Sequence, residues 1–359
     1  MIGESLVRVV KGENLTENEM EKTMGDIFDG KISQAQVGSF LTALRTKGET
    51  VDEIVGAARA LVARVQRLSL SNNLLDIERD DINVESETIL ATSDTRKTGT
   101  RTFNVSTATA FVLAGGGVNV VRHGNRSAFM YFGAADVLMR LGINLDLSVS
   151  DIEKCIGEIG IGFLFTPITS GPMRHVATIR EEIGIRTIFN LIGPLANPAG
   201  ASTHVLGVYK PSLTEKMAHV LNRLGAQKAF VVYGEGTRDE VSICGPTHIC
   251  RLIDGEVESS MIEPEAYGFE TSDPAAIVGG NAQENARIIR AIMDGDTGPR
   301  RNIVVLNAAA GYVAAGREEN LTEGIKRAEE VIDSGKAQEK LNSLIDFTAG
   351  RSGFVRKEL

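Results

Sequence analysis

Chemistry in this chain would be carried by a few polar residues placed where apolar segments begin or end. The run Thr102-Phe103-Asn104-Val105-Ser106-Thr107 leads into the apolar stretch 108–114. At such a helix start, unspent backbone N–H groups and the Ser106 and Thr107 hydroxyls could meet an anion. Ordinary N-capping by Ser or Thr requires the same residue types. Arg122-His123-Gly124-Asn125-Arg126-Ser127 follows the apolar run 118–121, and ligands bind beyond the carboxyl ends of parallel strands; a polar turn would read alike. Asp239-Glu240 closes the segment 233–238. Adjacent carboxylates on a loop suit magnesium, which takes oxygen ligands and shares them with substrate phosphates, although acidic pairs are also common on solvated surface. Arg96, Lys97 and Arg101 stand just ahead of the first helix start, either as point charges for phosphate or as a solvated face.

Several other chemistries find no support. Neither the G-x-x-x-x-G-K-[ST] loop nor a G-x-G-x-x-G turn after a strand occurs. The five histidines form no metal pattern with acids or cysteines, and three cysteines at wide, irregular spacing read as plain thiols. A formal charge of -9 weighs against nucleic acid as the main partner, while allowing a local basic groove. The longest apolar runs are too short to span a bilayer, so no membrane role is expected. The chain opens on no basic, apolar export signal, and cytoplasm is the expected location.

The elements that must position these residues follow from periodicity. At 359 residues two domains are expected, and 42% hydrophobic with 24% charged residues is a globular composition. Thr16 to Glu19, Ser33 to Gln36 and Thr50 to Glu53 each fit the capping box, marking three successive helix starts. After the third, Val51, Ile54, Val55, Ala58, Leu61, Val62 and Val65 predict a helix over about 51–66. Its stripe is either an internal packing face or a surface for a second subunit. Residues 71–88 are polar and acidic without helical period and read as a linker. Beyond it, short strands are expected at 118–121, 162–165, 204–208, 230–233 and 303–306, separated by helices. One helix should start on Ser212 to Glu215 and stop at Gly225, another should run from Asn281 to about Met293. Alternating strands and helices mean a mostly parallel sheet covered by helices.

Longer stretches sharpen this reading. TFNVSTATAFVLAGGGVNVVRHGNRS, GAADVLMRLGINLDLS, MRHVATIREEIGIRTIFNLIGPLANPA, YGEGTRDEVSICGPT and the Gly279–Ala286 segment together resemble the anthranilate phosphoribosyltransferase family over nearly the whole chain. The resemblance implies an α/β fold of the nucleoside phosphorylase/phosphoribosyltransferase type. A small N-terminal all-helical domain (1–70, with a helical return near 170–195) would join a large α/β domain (71–359) with a mostly parallel central sheet. It implies homodimers formed through the helical domain. It also implies transfer of phosphoribose from phosphoribosyl pyrophosphate to the amine of anthranilate, in tryptophan biosynthesis. On the matching positions, Thr95, Gly99, Asn104, Ser106, Thr107 and Arg122 would serve the donor, and His123, Asn125 and Arg180 the acceptor. Ser106, Asp239 and Glu240 would serve Mg2+, bound together with a phosphorylated donor.

The sequence departs from the family's pattern at two donor segments. Where the family reads G-T-G-G-D-G, this chain has Asp94-Thr95-Arg96-Lys97-Thr98-Gly99. Glycine alone reaches positive φ freely and lets N–H groups approach a pyrophosphate closely. After HGNRS the family's V-S-S-K-S-G-S is replaced by Ala128 followed by Phe129, Met130, Tyr131, Phe132, Gly133 and Ala134. Phosphate oxygens beside such groups would lack hydrogen-bond partners. A milder change puts Arg122 where the family has lysine, and Ser170 stands where its acceptor pocket has histidine. Two expectations follow: an active transferase whose donor is held by Arg96, Lys97 and Arg101, or a re-purposed paralogue. Such a paralogue would bind another small aromatic ligand, a nucleic acid or a protein partner.

Overall fold

The computed structural model describes residues 2–66, 68, 89–94, 102–123, 133–164 and 171–351, with backbone alone for 89–94 and 123. The expected linker 71–88 therefore lies outside the described residues, as do 95–101, 124–132 and 165–170.

Four helices open the chain: α1 (Ile2–Val10), α2 (Glu17–Phe28), α3 (Gln34–Lys47) and α4 (Val51–Val62). Thr16, Ser33 and Thr50 each accept from the N–H three residues on, as the sequence predicts. Helix α4 ends at Val62, short of 66, because Ala63 already closes it by donating to the Arg59 and Leu61 carbonyls. Glu53 goes beyond its capping box. Fully buried, its carboxylate accepts from Leu15 N (3.0 Å) and Thr50 N (2.8 Å) and pairs with Lys47 at 2.8 Å. The α1–α2 junction and the end of α3 are thereby tied to the start of α4.

The second layer system alternates β1 (Ile89–Asp94), α5 (Val105–Gly115), β2 (Asn119–His123), α6 (Ala134–Arg140), α7 (Val149–Ile159) and β3 (Ile161–Leu164). It continues through α8 (Arg174–Ile183), α9 (Ile188–Ile192), β4 (Thr203–Gly207), α10 (Leu213–Arg223) and β5 (Lys228–Gly234). A hairpin of β6 (Thr247–Ile253) and β7 (Glu256–Ile262) follows, then α11 (Ala282–Met293), α12 (Pro299–Ala314), α13 (Leu321–Asp333) and α14 (Lys336–Thr348). Strand order is β3-β2-β1-β4-β5-β6-β7, parallel from β3 to β5 and antiparallel at β6 and β7.

Alternation along β5 divides the interior. Phe230 and Val232 face a core built from α5, α6 and α11–α14, while Ala229 and Val231 face one shared with α1–α4 and α8–α10. In that second core Val176 and Ile179 of α8 and Ile188, Phe189 and Leu191 of α9 pack among the N-terminal helices.

Three expectations are corrected. The run 303–306 is the middle of α12 and no strand; a short apolar run fits a buried helix equally well, and this helix is buried on nearly every side. Ser212 makes no cap: its backbone is already helical and its side chain bonds nothing in the first turn. Thr214 Oγ1 instead donates to the Pro211 carbonyl (2.8 Å), while Gly225, at φ 91°, does stop the helix. Strands β1, β6 and β7 were not expected. The Asp254-Gly255 pair between β6 and β7, with Asp254 at φ 51° and Gly255 at φ 89°, is a hairpin turn signal readable from sequence.

Candidate functional site

Strands β1, β2 and β3 run outward in one direction, and the chain then crosses back to lay β4 on the other side of β1. The topological switch point is therefore between β1 and β4, where an open α/β sheet offers its ligand crevice beyond the strands' carboxyl ends. Asp94, the last residue of β1, is in register with Gly207, the last of β4. Thr102 is bridged to Val278, with Phe103 N donating to the Ile277 carbonyl at 3.2 Å.

Helix α5 starts there. It is apolar almost all round because α12 and α14 enclose it, so its polar residues gather in the first turn. The Val105, Thr107 and Ala108 N–H groups are spent on the Phe103 and Asn104 carbonyls. Ser106 is partly exposed; Thr107 is fully buried, and its hydroxyl has no hydrogen-bond partner. Neither is the N-cap. That position belongs to Asn104, whose side chain makes no bond to the first turn and instead accepts from Asn285 Nδ2 of α11 at 3.0 Å.

Asp239 and Glu240 sit at the same edge, just past β5. Gly234 and Arg238 exchange two backbone hydrogen bonds of 2.6 Å, with Gly236 and Arg238 at positive φ, and this tight turn sends the chain back across the sheet end. A methyl group on Gly207 would lie 1.9 Å from the Asp239 carbonyl oxygen, and one on Gly234 2.4 Å from that of Glu240. Both glycines are what allow the loop to seat. Asn307 of α12 then grips the next residue from beneath, accepting from Val241 N (2.9 Å) and donating to Val241 O (2.7 Å). The result is a carboxylate pair only 7% and 3% exposed, not the solvated surface pair that is the commoner case.

Arg122 is buried within β2, opposite Phe163 of β3, and His123 ends that strand. Arg180, on α8, stands over the Phe189 ring at 5.4 Å, and burial pushes its guanidinium below the usual arginine range. Thr95, Thr98, Gly99, Arg96, Lys97, Asn125, Phe129, Met130, Tyr131, Phe132 and Ser170 lie outside the described residues. The fold thus brings the α5 start, the β2 end and the acidic pair to one edge of the sheet, while Arg180 comes from the crossover between β3 and β4.

Sequence reasoning passed over Tyr209, Asn285 and Asn307. Tyr209 lies two residues past the end of β4, by the switch point; Arg45 of α3 donates to its hydroxyl (3.1 Å), and the Arg186 guanidinium lies 4.5 Å from its ring centre. These pairings are tertiary, and no local pattern announces them. The Gly279–Ala286 segment did stand out in the sequence, and Asn285 lies in it.

A helical bundle thus leans on a doubly wound sheet, with polar groups collected at the switch point. The glycosyl transferase family α/β domain matches residues 89–338, and the family's helical bundle domain matches 4–65. The anthranilate phosphoribosyltransferase of Geotalea uraniireducens is 49% identical over 97% of this chain and 99% of its own length, and that of Geobacter sulfurreducens 48% over the same shares. Among solved structures, the enzyme of Thermus thermophilus superposes with a TM-score of 0.85 at 36% identity, covering 96% of this chain and 98% of that one. The Saccharomyces cerevisiae enzyme in complex with PRPP and Mg reaches 0.82 at 27% identity over equal shares. This chain belongs to the anthranilate phosphoribosyltransferase family.

Proposed function

We propose that the protein transfers phosphoribose to anthranilate on the family's scaffold, but holds the pyrophosphate of its donor differently, so that turnover with phosphoribosyl pyrophosphate is slow. The acceptor and metal side carries the first half of this reading. In the reaction the bond from the ribose carbon to pyrophosphate breaks as the anthranilate nitrogen bonds to that carbon, and negative charge accumulates on the departing pyrophosphate. Asp239 and Glu240, with the Ser106 hydroxyl, offer only hard oxygen ligands at a partly dry sheet edge. This suits magnesium, which completes its shell with waters and substrate phosphates. When bound, it would neutralise the leaving group. Asn104, Ser106, Thr107 and Arg122 would contact the donor. Arg180, half-buried over the Phe189 ring, suits the two oxygens of the acceptor's carboxylate, and His123 and Asn125 would serve the same acceptor.

The altered donor segments carry the second half. Arg96, Lys97 and Arg101 would give charge to phosphate where the family pattern has glycine amides, and Phe129, Met130 and Phe132 bring no side-chain donor, leaving the Tyr131 hydroxyl as the one side-chain donor of that run. These four residues also favour a second reading, a paralogue that binds a different aromatic ligand. Complementation of a tryptophan auxotroph lacking this transferase separates the two: weak growth from the native chain, and full growth once G-T-G-G-D-G and V-S-S-K-S-G-S are restored, is expected. No growth from either would leave the second reading.

Dimerisation is proposed through the helical domain. A groove of about 790 Å3 runs along α1 and α3, lined in part by Val10, Gly38, Thr42 and Ile183. On α1, Val7 and Val10 are 54% and 68% exposed.

A further inference from the structure

We infer that Asn285 is a positioning residue for the donor: it holds the Asn104 amide so that Nδ2–H, and not the side-chain oxygen, is left to meet a ligand at the start of α5. The inference rests on the reading that a phosphorylated donor binds there.

The polarity is set from the backbone. Gly280 N–H can only donate, and it donates to Asn285 Oδ1 at 2.8 Å. The other end of the Asn285 amide must then be Nδ2, which donates to Asn104 at 3.0 Å, and the atom receiving it must be Oδ1. Asn285 is 3% exposed, so water does not compete for either bond. An asparagine at an N-cap ordinarily turns its oxygen onto the first-turn N–H groups. Asn104 is prevented from doing so and makes no cap bond. Its remaining group is a donor, placed on a partly exposed helix start that already favours anions.

The surrounding backbone is shaped to bring the two amides together. A methyl group on Gly279 would stand 2.7 Å from Phe103 Cα and 2.5 Å from Asn285 Oδ1. Without it, the strand-like bridge between Thr102 and Val278 closes directly over Phe103. The glycine pair and the asparagine of the 279–286 segment thus act on Asn104 as one device.

Asn285→Asp tests this with the fewest atoms changed. Its carboxylate still accepts from Gly280 N–H but donates nothing, so Asn104 turns Nδ2 inward and presents oxygen to the donor. Calorimetric titration of phosphoribosyl pyrophosphate with magnesium is made into the native chain, Asn285→Asp, Asn104→Ala and the double variant, with anthranilate as control and thermal melts to verify folding. Donor affinity in Asn285→Asp is expected to fall about tenfold, the worth of one such hydrogen bond, with anthranilate affinity unmoved. In the Asn104→Ala background the same substitution should add nothing, because it acts through that amide. Asn285→Ala replaces the aspartate should the latter not fold. Unchanged donor affinity in a folded variant, or the same loss with and without Asn104, would overturn the inference. If the native chain binds anthranilate but takes up no donor, it is the donor reading that fails, and the role of Asn285 falls with it.

Discussion

Arg180 shows how much one residue's neighbours decide. Its place in the sequence told of an arginine within a helix; that it stands half-buried over Phe189, its guanidinium lowered by burial, is known only from where α8 sits in the fold. A half-buried guanidinium whose fork matches a carboxylate is not replaceable by lysine. Arg180→Lys is expected to raise the KM for anthranilate about tenfold while leaving the KM for the donor within twofold, the loss of one bidentate arm. A rise shared by both substrates in steady-state kinetics would show that Arg180 supports the fold and not the acceptor. Asp239 and Glu240 were legible as residues and as candidate ligands of a hard cation. Their burial was not, because it depends on Gly207 and Gly234, more than thirty and about five residues away, having no side chain to obstruct the loop.

Elements were read well where local chemistry dominates and poorly where burial does. The capped starts of α2, α3, α4 and α11 were legible because each is a contact between residues three apart. The helical nature of 303–306 was not, since an apolar run buried on all sides has lost its period, and β1, half polar in sequence, was passed over as a strand. The close approach of β4 to the acidic loop makes an element-scale prediction. Gly207→Ala puts a carbon against the Asp239 backbone, which cannot rotate away as a side chain could. A loss of about 1–3 kcal/mol is expected from such overpacking, read as a lower urea midpoint. A variant that unfolds with the native chain would mean that the loop moves freely and does not hold the carboxylates in place.

At the scale of the whole molecule, the alternation of strands and helices and the polar strand ends sufficed to expect an α/β scaffold. The switch point between β1 and β4 required the strand order, which no single stretch encodes. The dimer contact proposed for the helical domain draws on the exposed Val7 and Val10 of α1. Val7→Glu with Val10→Glu is expected to halve the mass seen by light scattering without lowering the melting temperature of the remaining subunit. A mass unchanged by both charges would place the dimer contact elsewhere.

The central claim concerns the donor, and calorimetry measures it most directly. Phosphoribosyl pyrophosphate with magnesium is titrated into the native chain and into a chain with both donor segments restored to the family pattern. The proposed loss of two or more phosphate contacts, each charge-assisted and worth about 1.5–3 kcal/mol, predicts a dissociation constant at least a hundredfold weaker for the native chain. Equal affinities would contradict the account, showing that Arg96, Lys97 and Arg101 hold the pyrophosphate as well as glycine amides do.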